Sequence, residues 1–437
     1  MTLRGGVSWK QYEFETREVR VDGNVADLDG FDAPIVVDES LSNVLTGFGS
    51  GLSYGNNDTS WVSADWDAAI QLSGILDITG DISSRPQSNR AVKEEDLGAF
   101  VQLDFETQLS GMPVRGDVGV RYVETTTTSS GFVDNGDSFV LTSVENSYED
   151  VLPALNVVIE PSDTFVLRGG VAKVMARPSL GNLTPGGSLD TFSGEPYSYS
   201  LGNPALDPYR ATAYDLSAEW YFAEESLLSL SLFYKDVESF FLTPAATEVP
   251  FSSLGLPDSV ASSTSPLGED LANGLDPMVA ISQQVNSGDA AIQGLEVVYQ
   301  QPFSFLPAPF NNAGFVGNLT YVDSDEIDDF SPVSHNMTLY YETDKFSARV
   351  SGAYRDAYQT RSPNSSGRSV GREERGVAST YNIDFSMSYA ISDQLDVTFE
   401  AINLTDEFEH QTFDRLELPT LYHHTGRNFL IGARYTF

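Results

Sequence analysis

A cluster of basic side chains in the last third of the sequence is the feature that most suggests ligand chemistry. Residues 345–375 contain seven Lys or Arg and three Asp or Glu, so this stretch carries +4 (seven minus three) in a chain of formal net charge −39. Arg349 and Arg355 share one face of a predicted strand, and Arg361 follows in the next loop. Such a basic ladder could guide an anionic ligand, either an iron chelate or a uronic-acid sugar. The alternative is pairing with carboxylates of the surrounding wall, such as Asp384.

Aromatic side chains in predicted long loops suggest a second kind of chemistry. Trp61, Trp66, Tyr54, Tyr197 and Tyr199 lie in such segments. Aromatic faces bind sugar rings through apolar stacking, so these residues are candidates for carbohydrate binding. They could equally be packing residues that order the loops, and the sequence leaves both interpretations open.

Two groups of potential metal ligands have simpler explanations. His423 and His424 are adjacent and lack a third partner at a defined spacing, so we interpret them as surface loop histidines. The acidic run 323–329 lacks the ligand order and the turn glycine of a calcium loop. We interpret it as solvated loop charge, which divalent ions could bridge to lipopolysaccharide. The sequence therefore predicts no metal site.

Composition and motifs exclude several classes of function. The chain has no cysteine, which removes disulfides, thiolate metal sites and cysteine nucleophiles. The sequence contains no GxSxG, Walker A, HExxH or dinucleotide-binding motif, so we predict neither an enzyme nor a bound cofactor. The net charge of −39 argues against a nucleic-acid partner, because such a chain cannot replace the counterions of a phosphate backbone.

Alternation of apolar and polar residues with period two runs through most of the chain and predicts β-strands. Residues 380–389, for example, place five large apolar side chains on one face and Thr, Asn, Asp and Ser on the other. The polar faces also carry charges in the middle of strands: Arg121, Arg168, Glu219, Arg349, Asp384 and Glu400. One face of each strand is therefore apolar and aromatic, and the other is polar.

The pattern predicts about fourteen strands joined alternately by short turns and long polar loops. The strands lie near 2–19, 92–109, 112–123, 148–160, 163–176, 208–222, 226–241, 286–300, 312–323, 333–342, 345–357, 377–391, 394–404 and 427–437. The long loops are 124–147, 177–207, 243–285, 358–376 and 404–427, and residues 20–91 form a broad irregular stretch. Loops of this length are uncommon in compact soluble domains.

This layout predicts an all-β fold, an antiparallel transmembrane β-barrel of the outer-membrane type, with short periplasmic turns and long extracellular loops. In lipid every backbone N–H and C=O must be paired within the protein, so a spanning sheet closes on itself. Aromatic residues near the strand ends fit interfacial girdles, and mid-strand charges fit a wet or plugged interior. The N-terminus shows no secretory signal.

Four groups of segments resemble the C-terminal barrel portion of TonB-dependent receptors, especially the large proteobacterial type. They are 151–156 with 165–170 and 176–178, 202–208 with 214–221 and 232–237, 292–296 with 318–321, and 401–406 with 434–437. The resemblance covers residues 150–437 well and residues 1–150 more loosely. It implies an outer-membrane protein of a Gram-negative bacterium that takes up a scarce solute, either an oligosaccharide or an iron chelate, with a slight preference for sugars.

The resemblance also implies a set of partners. These are outer-membrane lipid and lipopolysaccharide, the barrel-insertion machinery through Phe437, a small solute, and TonB through a more N-terminal region. Family barrels have 22 strands and follow a signal peptide, a coupling box and a plug domain. We therefore expect residues 1–437 to be a partial barrel without the plug domain and signal peptide.

Two other functions fit the same strand pattern. A self-sufficient barrel of about fourteen strands could act as a passive outer-membrane channel, since bacterial barrels have even strand numbers from 8 upward. A soluble, β-rich secreted binding protein or adhesin would bury its aromatic faces between sheets. The channel predicts ion conductance, and the soluble protein predicts solubility without detergent.

Overall fold

The computed structural model describes most of the chain, in twelve segments. These are residues 1–21, 41–47, 60–68, 82–84, 89–134, 139–192, 194–244, 246–261, 265–324, 330–360, 375–413 and 418–437. The chain divides into a larger unit of residues 1–14 and 91–437 and a smaller unit of residues 15–90.

The described residues form strands far more than helices, as the period-two pattern predicts. In the first half of the chain the strands are β1 (Thr2–Thr16), β2 (Val19–Val21), β3 (Ser42–Thr46), β4 (Ser60–Ala64), β5 (Ile82–Ser84), β6 (Arg90–Leu109), β7 (Met112–Asp134), β8 (Phe139–Ser162), β9 (Phe165–Ala176), β10 (Gly187–Leu189), β11 (Tyr197–Leu201), β12 (Tyr209–Ala223) and β13 (Ser226–Leu242). In the second half they are β14 (Thr247–Pro250), β15 (Met278–Gln283), β16 (Val285–Ser287), β17 (Ala290–Pro302), β18 (Ala313–Ser324), β19 (Val333–Glu342), β20 (Phe346–Arg355), β21 (Tyr358–Thr360), β22 (Arg375–Val377), β23 (Thr380–Ser392), β24 (Leu395–Ile402), β25 (Glu409–Phe413), β26 (Leu418–His423) and β27 (Asn428–Tyr435).

Helices are short and lie in the connections. The α-helix α1 spans Pro266–Ala272, and 3-10 turns span Leu180–Leu183, Phe251–Leu254, Asp258–Val260 and Phe310–Asn312. The α1 N-terminus is fixed by Ser265, whose hydroxyl accepts a hydrogen bond from the Gly268 N–H at 3.1 Å, and by a proline in its first turn. Within the described segments, no helix is long and apolar enough to cross a membrane.

One large sheet, here called the main sheet, contains the fourteen predicted strands. Its order is β1-β6-β7-β8-β9-β12-β13-β17-β18-β19-β20-β23-β24-β27, and β16 pairs with β13 beside this path. The pairings between successive members from β7 to β27 are antiparallel. Each predicted strand overlaps one member of the path, so the prediction of an antiparallel all-β sheet of this size is confirmed.

Register gives the main sheet two chemically different faces. Leu216 lies opposite Leu232 on one side and Gly169 on the other, and Tyr214 lies opposite Tyr234. These side chains belong to an apolar face that is well exposed, with Leu216 56% accessible. On the opposite, polar face, Arg168 donates from Nε to Glu219 Oε1 at 2.7 Å. The polar face thus carries cross-strand ion pairs.

The prediction of five long polar loops is wrong for residues 124–147, and the other four contain short strands. Residues 124–147 are not a loop, because β7 and β8 run on as a paired hairpin to Asp134 and Phe139. Thr and Ser in this stretch pair across the strands, as Ser130 and Ser143 do with hydroxyls 2.8 Å apart. Hydroxyl residues support strands when cross-strand partners are available.

The other long connections build small sheets of their own. The connections β9–β12 and β13–β17 form a four-stranded sheet, β10-β11-β15-β14, in which β11 and β15 are parallel. The connections β20–β23 and β24–β27 form another, β21-β22-β25-β26. We call these the first and second loop sheets. In the smaller unit, β2 pairs with β5 and β3 with β4.

Glycine is required where an aromatic ring from the next strand lies over the backbone. Gly294 on β17 faces Phe233 on β13, and Gly314 on β18 faces Tyr340 on β19. A Cβ atom at either glycine would overlap the facing ring. Each ring occupies the space beside the glycine backbone, so a larger residue at the glycine position would clash with it.

We predict that Gly294→Ala destabilises the protein by about 1–3 kcal/mol, because the new methyl group meets the Phe233 ring and overpacking has this cost. The matched control is Gly169→Ala, where an added Cβ meets nothing within 4 Å. The control should lose no stability and could gain up to about 1 kcal/mol from reduced backbone entropy. Denaturant unfolding in detergent micelles measures both, and equal effects of the two substitutions would contradict the prediction.

Candidate functional site

The long connections of the main sheet all lie at one end of its strands, and this end is the candidate binding end. Four long connections lie there: β9–β12, β13–β17, β20–β23 and β24–β27. Tight turns at the opposite end of the strands join β8–β9, β12–β13, β19–β20 and β23–β24. Binding residues concentrate on loops that a rigid scaffold positions. The site is therefore described from the main sheet outward.

A buried polar network holds the start of the β9–β12 connection. Arg177 Nη2 donates to Asp96 Oδ1 at 2.7 Å and to Thr125 Oγ1 at 3.2 Å, and Arg177 Nε lies 3.5 Å from Glu94 Oε1. The Thr125 hydroxyl donates to Asp96 at 2.7 Å. Glu94, Asp96 and Thr125 are buried. Because buried charges are costly unless paired, the network fixes the segment after β9 against β6 and β7.

A second ion pair continues this network onto β8 and β12. Arg210 Nε donates to Asp150 Oδ1 at 2.6 Å, and Asp150 is buried. The Arg210 guanidinium carbon lies 5.9 Å from the centroid of the Tyr148 ring. Tyr148 is in turn the register partner of Thr125. Four strands and one connection are thus joined by charge-assisted hydrogen bonds, which are the stronger kind.

The first loop sheet has an apolar core of its own. Tyr197, Phe251, Ala261, Leu267 and Val279 form a buried cluster, in which Tyr197 is 1% exposed. Two long connections are therefore packed together as one ordered body at the binding end.

Hydrogen bonds to carboxylates fix this body at two points. The Tyr197 hydroxyl donates to Asp270 Oδ2 of α1 at 2.7 Å. Burial, reinforced by Asp270, raises the pKa of Tyr197, so the hydroxyl stays protonated and remains a donor. Ser252 donates to Asp276 from its N–H at 2.9 Å and its hydroxyl at 2.7 Å, and these bonds hold the pKa of Asp276 below its usual value.

The first loop sheet is strongly acidic. Apart from Arg177 at the start of the β9–β12 connection, which pairs with Glu94 and Asp96, the two connections that form it contain no Lys or Arg (residues 178–208 and 243–289). Their nine acids are Asp190, Glu195, Asp207, Glu248, Asp258, Glu269, Asp270, Asp276 and Asp289. A surface of one sign repels solutes of the same sign, so this part of the binding end disfavours anions.

The second loop sheet is anchored by Arg355 at the end of β20. The Arg355 guanidinium lies 5.0 Å from the Tyr358 ring centroid, and its Nη1 donates to the Tyr358 hydroxyl at 3.2 Å. Its Nη2 reaches the Ala378 carbonyl oxygen at 3.5 Å, and the Ala378 N–H donates to the His410 carbonyl oxygen. Across the described ranges, half-buried Arg355 makes no ion pair with a carboxylate. Some of its donors are therefore available to an anion.

Aromatic and imidazole rings cover one face of the β25–β26 hairpin. The Phe408 ring centroid lies 5.4 Å from that of His410, 5.0 Å from Tyr422 and 6.1 Å from His424. Burial lowers the pKa of His410, with Glu407 opposing the shift. His410 is therefore held neutral by its surroundings.

The other members of the predicted basic ladder behave differently from Arg355. Arg349 donates from Nη2 to Glu342 Oε1 at 2.5 Å. Both side chains are exposed and lie near the end of the strands where the tight turns are. Asp384, the expected partner, instead accepts a hydrogen bond from the Asn403 N–H at 2.8 Å. Arg361 lies outside the described residues. The ladder is thus one paired arginine and one arginine at the base of a loop sheet.

No metal centre is found in the part of the chain that the structure describes: it contains no group of three or more His, Cys, Asp or Glu that could hold a metal ion. His424 Nε2 lies 3.1 Å from Asp406 Oδ1, and His423 is exposed on β26. The acidic residues 325–329 lie outside the described residues. The binding end therefore offers hydrogen bonds, charge and aromatic faces.

Comparison with protein families shows which family the chain belongs to. The model of the family described as "TonB dependent receptor-like, beta-barrel" matches residues 2–404. The chain belongs to this family. The family consists of outer-membrane receptors and transporters of Gram-negative bacteria, which are not enzymes.

Solved TonB-dependent receptors share the fold. The siderophore receptor PirA from Acinetobacter baumannii is 16% identical with a TM-score of 0.53, and the match covers 82% of this chain and 56% of that chain. A mutant of the ferric enterobactin receptor PfeA from Pseudomonas aeruginosa, in complex with enterobactin, is 16% identical with a TM-score of 0.52, covering 82% and 55%. The ferric-catecholate import receptor Fiu from K12 E. coli is 14% identical with a TM-score of 0.53, covering 82% and 47%.

The chain spans about half the length of these receptors. A search of curated proteins finds no match. The family match therefore identifies a TonB-dependent receptor barrel, and the solute has to be argued from the chain itself.

The structure places the predicted aromatic residues of this receptor barrel in different surroundings. Trp61 and Trp66 belong to the smaller unit and are 56% and 71% exposed. Tyr199 is partly buried against the core of the first loop sheet, in the larger unit. Tyr197 is buried in that core, a position that fits the packing interpretation of this residue. Tyr54 lies outside the described residues.

Sequence reasoning missed the buried polar network of the receptor barrel. Its charged members are Glu94, Asp96, Asp150, Arg177 and Arg210. A signal was present in β7, where Val123, Thr125, Thr127 and Ser129 continue the alternation of the preceding strand and are all buried. Reading hydroxyl residues as strand formers would have extended β7 and placed charged residues beside it.

We predict that Arg177→Gln loosens the β9–β12 connection. The substitution leaves Glu94 and Asp96 buried without their cation, and breaking a buried ion pair in this way costs about 3–5 kcal/mol. Amide hydrogen exchange of residues 178–192 should rise at least tenfold. The control is Lys173→Gln, whose exposed pair with Glu238 (3.0 Å) contributes at most about 1 kcal/mol. Equal exchange in the two variants would contradict a holding role for Arg177.

We predict that the second loop sheet weakens as the pH falls below about 6.5, the ordinary pKa of histidine. Because burial lowers the pKa of His410, the unfolded hairpin binds a proton more readily than the folded one, so stability present above pH 6.5 is lost towards the lowered folded pKa. Hydrogen exchange of β25 and β26, corrected for intrinsic rates between pH 5 and 7, should show this loss. His410→Phe should flatten the profile, whereas exposed His423→Phe should preserve it. A profile unaffected by His410→Phe would refute this origin.

Proposed function

We propose that this chain forms part of the membrane-spanning barrel of a TonB-dependent receptor. The receptor captures a scarce solute at the binding end, where the long connections lie, and passes it inward in an energised step. The family match over residues 2–404 and the two ordered loop sheets at the binding end support this proposal. The energised step rests on TonB acting through a segment that precedes the matched barrel in such receptors.

The two outermost strands of the main sheet support the proposal of a partial barrel that other strands complete. Within the described residues, β1 is paired only with β6 and β27 only with β24. Unpaired edges cannot persist in lipid, where every backbone N–H and C=O needs a partner. The length relation to the solved receptors, about one half, fits further strands completing the barrel. Outer-membrane lipid and lipopolysaccharide, and the insertion machinery at exposed Phe437, are the other proposed partners.

Arg355 is the observation that favours an iron chelate as the solute. Siderophore complexes are commonly anionic, and Arg355 offers a half-buried guanidinium, stacked on Tyr358, with no carboxylate partner in the described part of the chain. The fold is shared with receptors named for siderophores, ferric enterobactin and ferric catecholates. A partly desolvated cation attracts an anion more strongly than a surface cation does.

An oligosaccharide is the second candidate, and it rests on Trp61 and Trp66. Both indole rings are exposed, and exposed aromatic faces stack on sugar rings. The acidic first loop sheet is compatible with a neutral sugar, whereas it disfavours an anion. The two candidates therefore place the decisive contacts on different parts of the chain.

We predict that charge reversal at Arg355 and Arg361 in the receptor of the native host weakens uptake of an anionic ferric siderophore at least tenfold, because the anion then meets negative charge. Arg349→Glu is the matched control: its arginine is exposed and paired with Glu342, so uptake should change less than threefold. Radiolabelled iron uptake in iron-starved cells measures the effect. Unchanged iron uptake, together with loss of oligosaccharide uptake in Trp61→Ala and Trp66→Ala, would overturn the chelate in favour of the sugar.

A further inference from the structure

The β9–β12 connection packs over one end of β6 and β7. Val92 of β6 forms a buried cluster with Leu183 and Leu206 of the connection, and all three are 2% exposed or less. The backbones also approach closely, because a Cβ on Gly131 of β7 would lie 2.5 Å from the Pro185 carbonyl oxygen. The connection therefore keeps water away from the side chains of β6 and β7 that lie beneath it.

Glu94 is one of these covered side chains. It lies two residues along β6 from Val92, on the same face, and is 4% exposed. Its Oε2 atom is buried and has no hydrogen-bond partner among the described residues. Its Oε1 atom lies 3.5 Å from Arg177 Nε, which is longer than a charge-assisted hydrogen bond. An ionised carboxylate here would have lost its water without gaining equivalent partners.

The guanidinium of Arg177 is directed at the neighbouring carboxyl group instead. Its Nη2 donates to Asp96 Oδ1 at 2.7 Å, and Asp96 also accepts a hydrogen bond from the Thr125 hydroxyl at 2.7 Å. Two buried carboxyl groups thus share one guanidinium, and Asp96 makes the shorter contact with it. Neighbouring like charges disfavour each other, so the carboxyl group with the poorer contacts, Glu94, is the one that favours a proton.

This network lies beyond the apolar band that faces the membrane. The opposite face of the same stretch of strands carries charged residues, namely Lys93 and Glu95 on β6, Glu124 on β7 and Glu149 on β8. Lys93 and Glu95 form an exposed pair at 3.1 Å. Large apolar side chains on that face of β6 begin further along the strand, at Leu97, which is 52% exposed. The network is therefore on the aqueous side of the band, where it can exchange protons with solvent.

A count of charges also leaves the network one proton short. It contains three buried carboxyl groups and two guanidinium groups: Glu94, Asp96, Asp150, Arg177 and Arg210. Asp150 and Arg210 neutralise each other at 2.6 Å. Burial, with the nearby Glu94, raises the pKa of Tyr148 to about 12, so this hydroxyl is neutral. Three carboxylates and two guanidiniums leave one uncompensated negative charge, which a proton on Glu94 removes.

The position of that proton depends on whether the connection is closed. In the closed form, burial raises the pKa of the Glu94 carboxyl; Arg177 opposes this shift and Asp96 adds to it. When the connection lifts away, water returns and the pKa falls to its ordinary value, about 4.3. Closing therefore takes up a proton. The stability of the closed form is complete below the ordinary pKa and is lost as the pH rises through the raised one.

We propose that Glu94 binds a proton when the β9–β12 connection closes over β6, so that the network is a pH-sensitive latch for the first loop sheet. The groups that face Glu94 are Asp96 on its own strand, Arg177 on the connection and neutral Tyr148 on β8. The closed connection is held by both the apolar cluster and the protonated network. The proposal concerns the movement of the connection and does not depend on which solute the receptor carries.

Amide hydrogen exchange of residues 178–192 in the full chain, folded in detergent micelles, tests this proposal. Each pKa unit between the closed and open forms changes the closing equilibrium by about tenfold, so protection, corrected for intrinsic rates, should fall at least about threefold from pH 5 to pH 8. Glu94→Gln cannot ionise, so its protection should not change over this range. Glu95→Gln is the matched control, because it removes only the exposed pair with Lys93 and should keep the wild-type profile.

Three results would overturn the latch. They are protection that is independent of pH in the wild type, the same pH profile in Glu94→Gln and wild type, and loss of protection when choline replaces sodium and potassium at constant pH. The last result would mean that a metal cation, not a proton, balances the charge. Unchanged heat-dependent gel migration shows that the variants are folded.

Infrared spectroscopy of the wild type decides the question if Glu94→Gln does not fold. A band from a protonated, water-excluded carboxyl group should be present at pH 5 and should disappear by pH 8. It should shift when glutamate is labelled with ¹³C and stay in place when aspartate is labelled. A band that is missing, or that does not titrate, would refute the proposal.

Discussion

Hydrogen bonding between neighbouring strands determines almost everything else in this protein, because a strand that crosses hydrocarbon has no water to satisfy its N–H and C=O groups. Pairing fixes the register, and register assigns each side chain to the apolar or the polar face. The exposed position of Leu216 on the apolar face and the ion pair between Arg168 and Glu219 on the polar face are both consequences of that assignment. The same constraint acts at β1 and β27, which have one partner each in the described residues; in the proposed partial barrel, further strands would join there.

The fourteen strands of the main sheet could be predicted because their two faces meet different surroundings. Where one face is apolar and the other polar, period-two alternation is strong, and β19 was predicted with the bounds observed, Val333–Glu342. The signal fails where both faces are polar. In the extension of β7, Thr125 and Thr127 are buried although their neighbours are also hydroxyl residues, so hydrophobicity gives no contrast there. The loop sheets were missed because their strands are only three to six residues long.

The contacts of the candidate site were beyond the sequence for a different reason. Arg177 and Asp96 are 81 residues apart, and Tyr197 and Asp270 are 73 residues apart. In a chain with 63 acidic residues, nothing in the sequence distinguishes the few carboxylates that become buried partners. The aromatic prediction shows the same limit, since composition cannot separate buried Tyr197 from exposed Trp66. Residue type suggested the candidate chemistry, and only the packing assigned each residue to a surface or a core.

Electrostatics at the binding end divides it into two regions that a charged solute would experience separately. In the connections that form the first loop sheet, every charged residue except Arg177 is an acid, whereas Arg355 lies at the base of the second. Because charges are screened over about 8–10 Å at physiological ionic strength, an anion bound at Arg355 would interact most strongly with the charges closest to that guanidinium. An anionic chelate would therefore bind on the side of the second loop sheet, while a neutral sugar could use either region. Under the proposed function, the charge of the solute would select its binding region, and Arg355 is the residue that an anionic chelate would use and a neutral sugar would not need.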